Sequence, residues 1–467
     1  MLSAICPIVL VTAAFAQEKA SPLTLIPTTT SAEARTALIV ALDEVTNIGG
    51  ARRIDGKLAA VLAADPNFGL GRAWSAAYTS NFTPAERDSH FARALKDAAA
   101  NNATTAELLF ISAMRESRAG RTAIARQLLD VVLELVPDDA NVTWQRLLLS
   151  ADDAEARRLG EAGIKRFPNY APIYNILAYQ LNTDGQTEAA LRMVERYVAL
   201  APTHPNPEDS HAEILQLNNL LESADAHYIK ALEKDPQFDE ALVGRAEIAV
   251  LRGDFAAARP YLQQAMVMAS TPERRQLLGR NLAATYLYEG RFKDARSAMN
   301  NVIDSSERDM LATLLDKRTL AVLAALQGNR SEAIKQYSAG KPETAGRFLP
   351  LSDATLHALL KQPAEVAAAV TAMEANAAGA PDDANAQQAM QAARVIGMVM
   401  KNDLTSARAA QRQITNVGYK ALSGAFVVQA ARNAGDPALA KAARADVDAY
   451  MDLSVNSGFT RLIAQRK

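Results

Sequence analysis

Apolar residues recur at spacings of three and four along almost the whole chain, the period of an amphipathic helix. The pattern is clearest between Ala171 and Pro202. Tyr174, Leu177, Ala178 and Leu181 form one apolar face, Gly185 interrupts it, and Ala190, Val194 and Val198 form a second. Side chains three or four apart share a helix face, so this stretch predicts two helices joined by a tight turn. Gly185 suits a helix C-terminus, where positive φ would strain a side chain. Pro202 ends the second helix because it has no amide hydrogen to carry the ladder onward.

The same punctuation returns. Pro137, Pro168, Pro202 and Pro236 stand 31, 34 and 34 residues apart, each closing a helical pattern. Leu109, Ala113, Gly120, Ala125, Leu129 and Val132 make a unit before Pro137, and 141–168 reads as a shortened one. The unit closing at Pro236 has Ala224, Tyr228 and Ala231 on its second helix and a degenerate first helix near His211 to Leu215. Later units centre on Gly253, Gly290 and Gly328, with Ala258, Ala295 and Ala333 five residues after each glycine. Ala407 after Asn402 and Ala440 after Gly435 keep that offset near the C-terminus. A fixed period near 34 marks an array in which each hairpin buries its apolar face against its neighbours.

These residues carry a resemblance. Tyr174, Leu177, Ala178, Leu181, Gly185, Ala190, Val194 and Pro202 match eight of nine positions of the tetratricopeptide repeat, with Tyr197 standing where a second alanine is expected. The resemblance spans nearly the whole chain after the N-terminal segment, most clearly over 104–340. It implies an all-α, right-handed α-solenoid of about ten to twelve helical hairpins in all, with the main array over 32–372 and C-terminal helical repeats over 389–467. Residues 373–388, rich in Ala, Asn, Gly and Asp around Pro381, are expected to form a loop or joint between them. In repeats of this kind the first helix of each pair lines a concave groove. By that implication Asn175, Tyr179, Asn182, Arg280, Tyr288 and Arg318 are the expected partner-binding residues. Asn can bond an extended backbone, Arg can fork onto a carboxylate, and Tyr adds flat contact area.

Composition narrows the function classes. Hydrophobic residues make up 49% of the 467 and charged residues 22%, a globular balance. Fifty basic and 52 acidic residues are interspersed, leaving a net charge of −2 with no basic stripe, which argues against nucleic acid as the primary partner. The apolar run Ile5 to Val11 followed by Ala14-Phe15-Ala16 and Gln17 reads as an export signal over 1–16, although no Lys or Arg precedes it. An extended linker over 17–31 follows, with a helix N-cap near Ser31. The single cysteine, Cys6, lies inside the signal, so a processed chain would have no thiol for a disulfide, a metal site or a nucleophile. No later stretch is apolar and long enough to span a bilayer.

No hydrolase, zinc-protease, phosphate-loop or dinucleotide motif is present. Of the five histidines, His204, His211 and His227 fall close together beside Glu208 and Asp209, but without helical pairing or a zinc spacing. The expected function is a non-enzymatic, cofactor-free scaffold in the bacterial periplasm or outside the cell, binding a protein or peptide. The alternatives are an enzyme or metal protein built on the 204–227 histidines, and a module that binds glycan or cell-wall fragments.

Overall fold

The structure is a computed structural model, and it describes Leu25 and residues 27–48, 51–80, 82–304, 310–340, 349–381 and 383–466. The expected export signal lies outside these residues. Among them the chain forms twenty-five α-helices and no strand. The unit read most clearly from sequence is the helix pair Ala171–Thr183 and Thr187–Leu200, and equivalent antiparallel pairs run from Ala32–Thr46 with Ala51–Ala64 to Val417–Asn433 with Pro437–Asp448. The fold is thus an all-α array of tetratricopeptide-like hairpins.

The turn inside most hairpins has one requirement, a residue in the left-handed region just past the first helix. Gly120, Gly185, Gly253, Gly290, Gly328 and Gly435 meet it with φ between 68° and 78°, and Asn219 and Asn402 with φ of 60° and 59°. Glycine has no Cβ to clash there, and asparagine tolerates the region better than other side chains. Small residues fill the helix crossings. Ala178, Ala190, Ala246, Ala258, Ala283, Ala295, Ala324 and Ala333 are all fully buried. At Gly244 a Cβ would sit 2.1 Å from the Tyr228 ring, so that helix approaches its neighbour with no room for a side chain.

The described residues divide into two compact units. One comprises residues up to Leu220 with Glu233–Asp235, the other Leu221–Leu232 and Pro236 onward. In the first unit the hairpins curl until the first meets the fifth. The Tyr197 hydroxyl donates to the Asn47 carbonyl at 3.3 Å and accepts from Asn206 Nδ2 at 3.1 Å. Arg53 ties Glu44, at 2.6 Å, to Asp235, at 3.6 Å. Part of the expected 17–31 linker is docked on this unit. The Leu25 amide donates to Asp139, the Thr28 amide and hydroxyl donate to Glu107, and the Thr29 hydroxyl donates to Asp65. Ser31 then caps the Ala32–Thr46 helix through its side chain.

In the second unit the last helix, Val455–Gln465, folds back across the first helices of earlier hairpins, Pro272–Tyr288 and Val417–Asn433. A Cβ at Gly458 would stand 2.8 Å from Leu287 Cβ, so glycine is what lets this helix lie so close. Residues 373–388, expected as a loop or joint, are mostly helical. Pro363–Ala378 and Ala384–Met400 pack on each other, with only 379–383 between them. Gly379 and Asp383 cap the two helices on either side of that short turn, while the alanines around it are strong helix formers.

Candidate functional site

The polar residues expected to face a partner are mostly engaged with the neighbouring hairpin, one period away. Tyr179 donates to Glu213 at 2.5 Å, and Asn182 Oδ1 accepts from Asn218 at 2.7 Å. Arg280 forks onto Asp316 at 2.7 and 2.9 Å, and Arg274 pairs with Asp239 at 2.7 Å. Arg318 is buried, donating to the Gly340 carbonyl at 3.1 Å and pairing with Asp353 beneath the Tyr337 ring. Burial pushes the Asp353 carboxyl up, and the Arg318 guanidinium opposes that shift. Tyr288 stacks on Phe255 and bonds Asp452 and Ser457, so the C-terminal segment covers it. Asn175 is buried too, but differs from the other five in that its Oδ1 finds no hydrogen-bond partner among the described residues.

The first unit holds an open cavity of about 350 Å³ that the sequence did not single out. It is built where four successive first helices end: Ala32–Thr46, Gly69–Tyr78, Thr105–Arg118 and Ala140–Leu148. Their last turns and the residues just past them contribute Ile48, Tyr78, Met114, Arg118, Trp144 and Leu148. Tyr78 stands at the centre, stacked between Trp74 at 5.4 Å and Trp144 at 6.5 Å, with the Arg118 guanidinium 4.7 Å from its ring centroid. Gln145 donates to the Tyr78 hydroxyl at 2.7 Å. Burial pushes the Tyr78 phenol up, with Arg118 opposing it, so the phenol stays neutral at physiological pH. Leu148 and Ile48 leave 47% and 44% of their surface exposed at the rim. The walls are apolar and aromatic, with one cation, a combination suited to an apolar side chain flanked by an acceptor.

Ile48 was missed because its signal is conformational. It lies just past the first helix with φ 51°, in the left-handed region that glycine or asparagine occupies after most other first helices.

Among the described residues no three His, Cys, Asp or Glu side chains are placed to hold a metal ion. His204 is buried with Nε2 3.6 Å from Asp43, at the seam where the first unit closes. No helix of the described residues is long and apolar enough to cross a membrane.

No family model matches the chain. It is similar to the protein adenylyltransferase fic-1 of Caenorhabditis elegans, 43% identical over 68 residues, which is 15% of this chain and 13% of that relative. Among solved structures it is similar to a tetratricopeptide repeat protein from Parabacteroides merdae, at 16% identity and a TM-score of 0.40, over 55% of this chain and 98% of that one. It is also similar to PilW, a type IV pilus biogenesis factor, at 15% identity and a TM-score of 0.37, over 44% of this chain and 96% of that one.

Proposed function

We propose that this chain is an exported, non-enzymatic adaptor that grips a protein or peptide partner by an apolar side chain seated in the cavity of its first unit. The observation that carries the reading is Ile48. A β-branched residue at positive φ costs roughly 1–2 kcal/mol relative to a relaxed backbone, and glycine would remove that cost. Here the strained residue also holds 44% of an apolar side chain in water at the mouth of an aromatic cavity. Strain and exposure are both unfavourable in the free protein, and a partner that covers the side chain recovers the exposure term. Arg118 beside Tyr78 adds a site for a carboxylate or carbonyl next to the anchor. Of the predicted groove residues, Tyr179, Asn182, Arg280 and Arg318 set the spacing of the face by holding adjacent hairpins together.

The test is selection of a displayed peptide library on the immobilised protein, followed by titration of the selected peptides against Trp144 fluorescence. Ile48→Gly is expected to raise Tm while weakening the selected peptides at least tenfold, and Leu148→Asp is expected to abolish them. Peptides that bind both variants as tightly as the parent would remove the cavity from the proposal. Export rests on the 1–16 segment. N-terminal sequencing of protein recovered from the periplasm or medium of a bacterial host is expected to begin at Gln17.

A further inference from the structure

The second unit contains a cavity of different character, about 380 Å³, walled by first helices of successive hairpins and by the returning C-terminal helix. Its floor is apolar, formed by Val322, Leu351 and Phe459, all buried. Its mouth carries the exposed amides of Asn385, Asn416 and Asn456, beside the rings of Tyr419 and Tyr450. Among the described lining residues none is charged, in a chain where 22% of residues are.

The polar groups are only partly used within the protein. Asn416 Oδ1 caps its helix by accepting from the Tyr419 amide, and no bond of its Nδ2 is seen among the described residues. Asn385 stands at the start of the Ala384–Met400 helix, whose cap is supplied by Asp383 instead. In the wall, Thr460 is fully buried and its hydroxyl has no hydrogen-bond partner among the described residues. A buried hydroxyl left unpaired costs stability unless something completes it. The returning helix that places Thr460 there also narrows the face to a pocket, whereas an extended chain needs an open groove.

We infer that this cavity binds a neutral, polyhydroxylated small molecule, a mono- or disaccharide unit. A pyranose presents one face of C–H bonds to aromatic and aliphatic walls and a rim of hydroxyls that both donate and accept. Asparagine side chains match that rim because each carries a donor and an acceptor side by side. Tyrosine supplies a flat surface with a polar tip. The absence of lining charge disfavours sugar acids and phosphorylated sugars, which would bring an anion into a site with nothing to neutralise it. The volume falls within the range of small-molecule pockets, about 300–1,000 Å³.

The full chain is titrated with glucose, maltose, cellobiose, N-acetylglucosamine and chitobiose by calorimetry and saturation-transfer NMR. Glucuronic acid and the neutral tripeptide Ala-Gly-Ala serve as contrasts. At least one neutral sugar is expected to bind, and glucuronic acid and the tripeptide are not. Thr460→Val removes the orphan hydroxyl at constant shape. It is expected to leave Tm unchanged or raised while weakening the sugar at least fivefold. Asn385→Ala, at an exposed position that no cap depends on, is expected to weaken it at least threefold. Silence from all five sugars, preference for the tripeptide, or sugar affinity that both variants preserve would each overturn the assignment. The first unit's peptide site is read independently by Trp144, since both tryptophans of the chain lie in that unit.

Discussion

Tyr197 stands where the repeat pattern has alanine, and its phenol accounts for the departure. The ring is fully buried between its own hairpin and the end of the first, and the hydroxyl bridges Asn47 and Asn206. An alanine there would satisfy the local crossing but leave the closure of the unit unmade. Burial pushes the phenol up, so it remains a donor to the Asn47 carbonyl throughout the physiological range. Tyr197→Phe keeps the volume and removes the bridge, with an expected loss of about 1–2 kcal/mol. Tyr197→Ala also opens a cavity and is expected to cost about 3–5 kcal/mol. Urea unfolding of the two variants checks both values. An alanine variant as stable as the phenylalanine one would show that the ring contributes nothing beyond its hydroxyl. The same residue shows what one sequence conveys: the bulky departure was legible, but its partner lies 150 residues earlier and no local pattern names it.

At the scale of elements, the hairpins were legible because period, glycine turns and terminal prolines all act locally. The N-terminal strap was not, because an extended segment is fixed by whichever distant side chains receive it. Its main anchor is Glu107, which is fully buried and accepts from both the amide and hydroxyl of Thr28. Burial pushes the Glu107 carboxyl above its ordinary value, and the two Thr28 bonds oppose that shift without cancelling it. The folded state therefore holds its proton to higher pH than the unfolded chain does. By linkage, this group's contribution falls as pH rises from the unfolded value, about 4.3, through the raised folded one. Glu107→Gln keeps an acceptor and a similar shape and cannot ionise. The difference in unfolding free energy, variant minus parent, is expected to grow with pH across that window and then level off. A difference independent of pH would mean that Glu107 titrates alike in both states. The partners of the predicted groove residues were not legible for a related reason. Polar positions on first helices were visible, but Asp316, Asp353 and Glu213, which occupy them, sit about one period further along.

At the scale of the whole molecule, closure changes how the repeats share their stability. In an open array each hairpin contacts only its neighbours, and stability is a sum of local and nearest-neighbour terms. Each unit here adds contacts of far greater sequence separation, 150 residues for Tyr197 with Asn47 and 164 for Tyr288 with Asp452. In the second unit Tyr288 concentrates that closure. Its hydroxyl donates to the Asp452 carbonyl at 2.8 Å, accepts from the Asp452 amide at 3.1 Å and meets Ser457 Oγ, while Arg461 lies over its ring. Burial pushes the phenol up to about 12, so the hydrogen-bonding form persists at any physiological pH. Tyr288→Phe retains the stack on Phe255 and deletes only the bonds to the C-terminal segment. If those bonds couple the two ends, hydrogen exchange should quicken by about fivefold or more in both Pro272–Tyr288 and Val455–Gln465, the equivalent of roughly 1 kcal/mol. The helices of the first unit should keep the parent's rates. Acceleration confined to Val455–Gln465 would mean that the last helix merely rests on the array and that the second unit behaves as an open stack. Acceleration at both ends would make the C-terminal helix a structural part of the repeat it covers, and with it a fixed wall of the polar cavity.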